Sequence, residues 1–247
     1  MLFNFGSEGY PYATWKFSGN TGSIIWTADN PTPNAGGLAN GFAPDNLGNV
    51  WVTGSVEYSF PNTEYGTYKI NSNGAYTVTN LYPEVSGLSS VATSIVVDQG
   101  NSAYVTGYSP GTNGADDIVT IKYSANGNTM WVQQYNGQGN GNAEGNAIAV
   151  DAIGNVYVTG YETTAAGGTG MVTIKYAPVA SIQKQGNGSF LLQEQVEPGE
   201  ALDFQASTDL QAWLDLGTVN ADTNGNVQFL DTNASNFNQR FYLTVPQ

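Results

Sequence analysis

Short runs of β-branched and aromatic residues alternate with turns rich in Asn and Gly along most of the chain. A typical run is Val156-Tyr157-Val158-Thr159, and a typical turn is Ala125-Asn126-Gly127-Asn128. Strands favour β-branched and aromatic side chains, whereas Asn and Gly are poor helix formers and supply the backbone conformations of tight turns. The pattern therefore predicts an all-β protein.

The strand pattern repeats every 53 residues. One block begins with Asp and ends in Val-Thr-Gly, and it starts at Asp45, Asp98 and Asp151, which are 53 residues apart. A second block of the form Thr-x-Lys starts at Thr14, Thr67, Thr120 and Thr173, with the same spacing. Two independent blocks that keep one period indicate an internal structural repeat.

Each 53-residue unit is predicted to form four antiparallel strands. The first strand is short and apolar, as in Ala147-Ile148-Ala149-Val150, and the Asp turn connects it to the Val-Thr-Gly strand. The third strand carries the Thr-x-Lys block, and the fourth contains Met130-Trp131-Val132 or its counterpart Ile24-Ile25-Trp26. Four antiparallel strands in a unit of this length match a β-propeller blade.

The set of blades is predicted to be incomplete. The chain enters the pattern at a third strand, near Thr14, and leaves it at a third strand, near Thr173. The expected series is two, four, four and three strands, whereas a closed propeller needs at least four blades, or roughly sixteen strands. We therefore predict a partial β-propeller of about three blades in residues 1–178. Its open blade edges would invite self-association.

The two blocks resemble the SBBP-type β-propeller repeat of bacterial surface and secreted proteins. The matching residues are Asp-x-x-Gly-Asn-x-Tyr-Val-Thr-Gly-Tyr and Thr-Ile-Lys-Tyr, and the likeness covers about residues 10–177. The first copy departs from this pattern, with Trp51 and Ser55 where the third copy has Tyr157 and Tyr161. The resemblance implies a bladed fold and an extracellular or cell-surface location more than an activity.

The period stops after Lys175-Tyr176, and residues 179–247 are predicted to form a small β-sandwich. Four strand candidates fall at 189–192, 202–206, 227–230 and 240–245, separated by turn clusters such as Asp222-Thr223-Asn224-Gly225. The run 206–213, together with Arg240-Phe241-Tyr242, resembles a terminal module of large secreted bacterial proteins. That resemblance implies a role in appended adhesion or stabilisation.

Composition restricts the chemistry. The 6 basic and 20 acidic residues give a formal charge of −14, which repels nucleic acid and anionic membrane surfaces. The absence of His and Cys removes the commonest general base, the thiolate nucleophiles and the best transition-metal ligands. We therefore expect no catalytic residues, no metal site and no cofactor.

Two further expectations concern location. No apolar run approaches the roughly 20 residues that span a bilayer, so no membrane insertion is expected. The first residues, Met1-Leu2-Phe3-Asn4, lack the pattern of a signal peptide. For an exported protein, we expect the native N-terminus to have been truncated or to lie upstream.

Long connections are predicted to gather on one face of the blades. They comprise 55–65, 108–117 and 161–171 within the units, and 27–41, 80–90 and 133–145 between units. Long loops on a rigid scaffold are where binding usually occurs, and aromatic rings beside carboxylates suit sugars. The candidate ligand-binding residues are Tyr58, Glu64, Tyr65, Tyr108, Asp116, Asp117, Tyr135, Tyr161 and Glu162. Glu57, Phe60 and Glu144 are expected on the same face.

Structural roles compete with these functional interpretations. The loop residues also fit simple solubility and rim packing, and neighbouring Asp116 and Asp117 would point in opposite directions along a strand. The repeated aspartates are expected to cap turns rather than bind calcium, and the turn at Asp222 to close a hairpin. The lysines of the Thr-x-Lys blocks are expected to pack their stems between blades.

Three functions remain open from the sequence. The first is a non-catalytic extracellular or cell-surface protein that binds a glycan or another surface protein. The second is a glycoside hydrolase or lyase that uses carboxylates from the long connections. Its candidate carboxylates are Glu57, Glu64, Asp116, Asp117, Glu144 and Glu162. The third is a purely structural spacer.

Overall fold

The computed structural model describes residues 13–29, 36–59, 62–82, 89–152, 154–176, 181–196, 198–223 and 225–247. The described chain is all-β, as predicted, and its one helical element is a single 3₁₀ turn at Ala234–Asn236. The chain divides into two compact units, Met1–Tyr176 and Ala177–Gln247.

The first unit contains four antiparallel sheets in its described residues. Sheet 1 contains β1 (Ala13–Phe17) and β2 (Ile24–Asp29). Sheet 2 contains β3 (Gly36–Pro44), β4 (Val50–Ser59), β5 (Asn62–Ile70) and β6 (Tyr76–Tyr82). Sheet 3 contains β7 (Val91–Val97), β8 (Ala103–Pro110), β9 (Asp116–Tyr123) and β10 (Thr129–Tyr135). Sheet 4 contains β11 (Ala143–Val150), β12 (Val156–Thr163) and β13 (Thr169–Tyr176).

The strands of each sheet follow one another in chain order, so every 53-residue unit folds as an up-and-down meander. The predicted series of two, four, four and three strands is confirmed in the described residues. Because each strand pairs with the next along the chain, short turns are sufficient to connect them.

The Asp of the first block caps the turn between the first and second strands. Asp45 Oδ1 accepts hydrogen bonds from the backbone N–H groups of Leu47 and Asn49 at 3.0 and 2.8 Å. The same bond recurs from Ser102 to Asp98 and from Asn155 to Asp151. The fourth turn position has positive φ in all three copies, which explains why Gly or Asn occupies it. These residues are Gly48 (81°), Asn101 (68°) and Gly154 (82°).

The Gly of Val-Thr-Gly is required by a close backbone approach. A Cβ at Gly107 would lie 2.0 Å from the carbonyl oxygen of Val91 in the neighbouring first strand. Gly54 and Gly160 meet Leu38 and Glu144 in the same way, at 1.8 and 1.9 Å. Each first strand also has a β-bulge next to the residue that pairs with this glycine. The bulges are marked by register shifts at Ala39/Gly41, Ala92/Ser94 and Gly145/Ala147.

The sheets stack through their first strands. Strand β7 packs across β3, β4 and β5 of sheet 2, and β11 packs across β7, β8 and β9 of sheet 3. Apolar clusters fill the interfaces, with Trp51 and Val105 between sheets 2 and 3. Ile118 and Val158 lie between sheets 3 and 4, and Ala28 and Val52 between sheets 1 and 2. Burial of these side chains is the main force that holds neighbouring sheets together.

Lys69 of the Thr-x-Lys block packs between two sheets, as predicted. Lys69 is buried between sheets 2 and 3, where its Nζ donates to the carbonyl oxygen of Ala125 at 2.8 Å. The same ammonium group pairs with Asp45 Oδ2 at 3.1 Å and lies 5.2 Å from the centre of the Trp51 ring. Its stem and its charge therefore join two consecutive repeats.

The second unit contains two three-stranded sheets around one apolar core. Sheet 5 contains β14 (Ser181–Lys184), β15 (Phe190–Gln195) and β18 (Asn226–Asp231). Sheet 6 contains β17 (Leu214–Asn220), β16 (Ala201–Ser207) and β19 (Phe241–Pro246). The rings of Phe204 and Phe229, one from each sheet, stack with their centres 4.9 Å apart. The prediction that the turn at Asp222 closes a hairpin was wrong. Asp222 accepts from the N–H of Asn226 at 2.9 Å, but the turn connects β17 of sheet 6 to β18 of sheet 5, and each of these strands pairs within its own sheet.

The prediction of long loops within the units was wrong. Strands β4 and β5 end and begin at residues 59 and 62, and the other two connections shrink to 111–115 and 164–168. Polar residues in these segments favour loops on propensity alone. However, the ladder of backbone hydrogen bonds continues through them because each strand has a neighbour to pair with. The connection after β10 is also shorter than predicted, at 136–142.

Candidate functional site

The predicted ligand-binding residues lie on strands rather than in loops. They fall on β4 (Tyr58), β5 (Glu64, Tyr65), β8 (Tyr108), β9 (Asp116, Asp117), β10 (Tyr135) and β12 (Tyr161, Glu162). The side chains of Tyr58 and Phe60 lie outside the described residues. The remaining candidates divide into buried structural groups and one partly exposed cluster.

Tyr65 is a buried structural residue. Its side chain has no exposed surface, and its hydroxyl donates to the carbonyl oxygen of Val119 at 3.2 Å. Burial raises the pKa of its phenol well above the ordinary value. Tyr65 therefore connects sheet 2 to sheet 3 and presents no atom to a ligand. Glu64, its neighbour on β5, lies opposite Val56 in sheet 2.

Glu162 and Tyr135 fix the connection between sheets 3 and 4. The Glu162 carboxylate is buried and accepts hydrogen bonds from the Tyr135 hydroxyl at 2.8 Å and from the N–H of Gln138 at 2.9 Å. Burial and this carboxylate raise the pKa of Tyr135. The pair holds segment 136–142 against sheet 4.

Asp116 and Asp117 have different surroundings, as the strand geometry predicts. The Asp117 side chain is 5% exposed and accepts a hydrogen bond from Gln134 Nε2 at 2.9 Å. Its other oxygen, Oδ1, has no hydrogen-bond partner among the described residues. Burial raises the pKa of Asp117, and the bond from Gln134 opposes that shift. Asp116 instead interacts with Glu144 of the next sheet.

Four side chains from two sheets converge in what we call the inter-sheet cluster, made up of Tyr108, Asp116, Glu144 and Tyr161. The Tyr161 hydroxyl donates a hydrogen bond to Glu144 Oε1. This bond, together with burial and the nearby Asp116, raises the pKa of Tyr161 to about 12. Burial and the Glu144 charge raise the pKa of Asp116, and burial with both carboxylates raises that of Tyr108.

The inter-sheet cluster adjoins a segment rich in exposed amides, which we call the amide segment and define as residues 136–142. The Asn142 side-chain oxygen accepts from the backbone N–H of Asp116 at 3.2 Å, so the segment contacts the cluster directly. Asn113 Nδ2 donates to the carbonyl oxygen of Asn140 at 3.0 Å. Asn113, Asn136, Asn140 and Asn142 are all exposed. The site therefore combines phenols, carboxylates and amide donors and acceptors on one surface.

Metal ligands and membrane spans were sought in the described residues. Among them, no group of three or more Asp, Glu, His or Cys side chains is placed to hold a metal ion. No helix in the described part of the chain is long and apolar enough to cross a membrane.

Comparison with known proteins relates the chain to no family. Neither the protein-family models nor the curated proteins compared with the chain include a match. Among solved structures, a similar one is a tetra-tandem repeat in the extending region of a large adhesion protein. The two are 9% identical over 84% of this chain and 73% of that chain, with a TM-score of 0.19. A TM-score this low does not relate the two folds. The resemblance to the SBBP-type repeat therefore stays a prediction.

Sequence reasoning placed the acids and phenols of the cluster on one face but missed the amide segment. The signal was present, because Asn136, Asn140 and Asn142 recur within seven residues between two predicted strands. Such a density of amides in a connection is unusual for a turn, which needs one or two of them.

Proposed function

We propose that this protein is a non-catalytic extracellular or cell-surface binding scaffold, built from propeller-type blades, that binds neutral glycans. The observation that supports this function best is the inter-sheet cluster. There, Tyr108, Asp116, Glu144 and Tyr161 converge beside the exposed amides of the amide segment.

The chemistry of the cluster suits a ligand rich in hydroxyl groups. Carboxylates accept hydrogen bonds from sugar hydroxyls, amides both donate and accept, and phenol rings stack on the apolar faces of sugar rings. A formal charge of −14 disfavours anionic ligands, including nucleic acid and sulfated or uronic polymers. Neutral hexose chains meet all of these conditions.

The same geometry argues for binding without turnover. The Glu144 carboxylate is engaged by the Tyr161 hydroxyl, and the buried carboxylates Asp117 and Glu162 are held by Gln134 and Tyr135. Rigid side chains that already bond to one another preorganise a binding surface. The chain also has no His or Cys to serve as a base or nucleophile.

The test is a neutral glycan array probed with the whole chain, with reducing-sugar release measured on every glycan bound. We expect binding without release, and at least a tenfold loss of affinity in Tyr108→Ala and Asp116→Asn. The matched control is Asp215→Asn, an exposed aspartate of β17 in the second unit, which should bind like the wild type. An array with no signal, or equal binding by all variants, would contradict the proposed site.

A second candidate, glycoside hydrolysis, is favoured by one observation. Asp116 lies near Glu144, which helps to raise the pKa of Asp116, and a carboxyl group with a raised pKa beside a carboxylate is the acid–base arrangement of glycosidases. Release of reducing sugar that is lost in both Asp116→Asn and Glu144→Gln would establish this activity instead.

A further inference from the structure

The outer face of sheet 4 exposes positions that the earlier repeats bury. We define this face by Tyr157, Met171, Thr173 and Lys175. Tyr157 is 37% exposed, although its counterparts Trp51 and Tyr104, at intervals of 53 residues, are 0% and 3% exposed. Met171 is 86% exposed, whereas its counterparts Tyr65 and Ile118 are fully buried.

In the earlier repeats, the following sheet covers this face. The tyrosine at the end of the third strand in sheets 3 and 4 lies against the preceding sheet. Tyr123 of sheet 3 stacks on Trp51 of sheet 2, with ring centres 6.4 Å apart and planes inclined by 17°. Tyr176 of sheet 4 lies 5.6 Å from Trp131 of sheet 3, which itself contacts Tyr104 at 6.1 Å. The stacking is therefore a repeated interface rather than a single contact.

The residue of sheet 1 that corresponds to Tyr123 and Tyr176 is Phe17, and no preceding sheet covers it in the described residues. Phe17 is 49% exposed, and Ile25 on the neighbouring strand is 56% exposed. Trp26 and Ala28 point the other way, since Trp26 Nε1 donates to the Ser72 carbonyl and Ala28 joins the core of sheet 2. We define the outer face of sheet 1 by Phe17, Ile25, Thr27 and Asp29.

We propose that the outer face of sheet 1 docks on the outer face of sheet 4 of a second copy of this chain. Phe17 of one copy would lie on Tyr157 of the other as Tyr123 lies on Trp51, and Ile25 would lie in the same interface as Met171. The contact continues the stacking that already joins sheets 2, 3 and 4 within the chain. It also brings exposed Asp29 and exposed Lys175 onto facing surfaces of opposite charge.

This interface joins two different surfaces, so it is heterologous, and each copy keeps one unused face after binding. An uncovered outer face of a repeat stack is normally polar, and among the described residues the outer faces of sheets 1 and 4 expose apolar side chains instead. The formal charge of −14 on each copy opposes association. Salt screens that repulsion, so assembly should strengthen from low to high ionic strength.

Sedimentation velocity and light scattering of the whole chain over a range of micromolar concentrations provide the test. The wild type should show a mass above 26.1 kDa that rises with concentration and with salt. Phe17→Asp blocks one face and Met171→Asp blocks the other, so each variant alone should be a monomer. An equimolar mixture should form a dimer and nothing larger, because each variant keeps the face that the other lacks.

Phe17 is half exposed and Met171 is largely exposed, so the fold should survive, and circular dichroism with thermal unfolding verifies it. Leu47→Asp, at a turn where Leu47 is 70% exposed, adds the same charge outside both faces and should associate like the wild type. A wild type that stays monomeric at all concentrations and salts overturns the proposal. So does dimerisation of either variant alone, or a mixture that stays monomeric.

Discussion

The side-chain amide of Asn40 donates a hydrogen bond of 2.8 Å to the carbonyl oxygen of Ala92, one residue short of a full repeat away. Asn40 occupies the bulge of β3, and Ala92 precedes the corresponding bulge of β7. Thr93, in that second bulge, donates in turn to Gly145 of β11 at 2.5 Å. The bulges of β3 and β7 therefore each direct one side chain to the backbone of the next sheet.

Replacing Thr93 with Val should weaken the junction of sheets 3 and 4. The substitution keeps the shape and removes the donor, leaving the Gly145 carbonyl without this bond at a cost of about 1 kcal/mol in the free energy of unfolding. Urea denaturation followed by circular dichroism measures it. Asn146 occupies the third bulge and is exposed, so Asn146→Ala should leave the midpoint unchanged. Equal effects of the two substitutions would show that the bulge bonds do not support the stack.

Gly107→Ala should destabilise the first unit by about 3 kcal/mol, at the upper end of the usual cost of overpacking. The added methyl group would overlap the Val91 carbonyl and lie 2.7 Å from the buried Tyr65 hydroxyl, and backbone on this ladder has little room to move. We expect a lower midpoint of urea denaturation, with no change in the dependence of the free energy of unfolding on urea concentration. Gly19→Ala, which meets nothing within 4 Å and has no positive φ, is the matched control and should be nearly neutral.

Asp117→Asn should stabilise the protein at neutral pH. Burial raises the folded-state pKa of Asp117 above its ordinary value of 3.8, so folding favours the protonated form. Asp117 therefore contributes fully to stability when the pH is below its ordinary pKa of 3.8. This contribution is lost as the pH rises through its folded-state pKa. Removing the charge should therefore raise the free energy of unfolding by about 1 kcal/mol at pH 7, with the gain vanishing at pH 3.

Asp45→Asn provides the comparison of opposite sign. Burial alone would raise the pKa of Asp45, but hydrogen bonds from Asn49, Lys69 and Leu47 hold it below the ordinary value. Asp45 therefore contributes fully to stability when the pH is above its ordinary pKa of 3.8. This contribution is lost as the pH falls through its folded-state pKa. Asp45→Asn should lower the free energy of unfolding by about 2 kcal/mol at pH 7 and change it little at pH 3. Thermal unfolding of Asp117→Asn and Asp45→Asn at pH 7 and pH 3 tests both predictions. Changes in stability of the same sign in the two variants at pH 7 would refute them.

Asp231→Ala should destabilise the second unit. The Asp231 carboxylate is buried, pairs with Arg240 at 2.8 Å and accepts from the Tyr242 hydroxyl at 2.9 Å. Removing it leaves the buried guanidinium group unpaired, at a cost of about 3 kcal/mol. Hydrogen exchange of the whole chain should show faster exchange in β18 and β19. Asp215→Asn, on the exposed surface of β17, should leave these rates unchanged.

The candidate site was only partly predictable. The sequence identified Tyr108, Asp116 and Tyr161 by residue type and chain position, and the structure brings them together with Glu144. Tyr65 and Glu162 carried the same signal, yet they are buried and hold the scaffold together. Residue type cannot separate these cases, because the difference lies in which neighbouring strand covers each side chain.

The repeat period, the number of strands in each unit and the capped turns follow from local chemistry, whereas the Gly of Val-Thr-Gly is required by a neighbouring strand. A positive φ, a short apolar strand or a tight turn depends on a few consecutive residues, so the sequence determined them. Only the tertiary structure decided that the polar segments continue as paired strands, that Asp117 is buried, and that Tyr157 is exposed where Trp51 is covered. Burial depends on neighbours about 53 residues away, so corresponding residues differ in exposure where no following sheet covers them among the described residues.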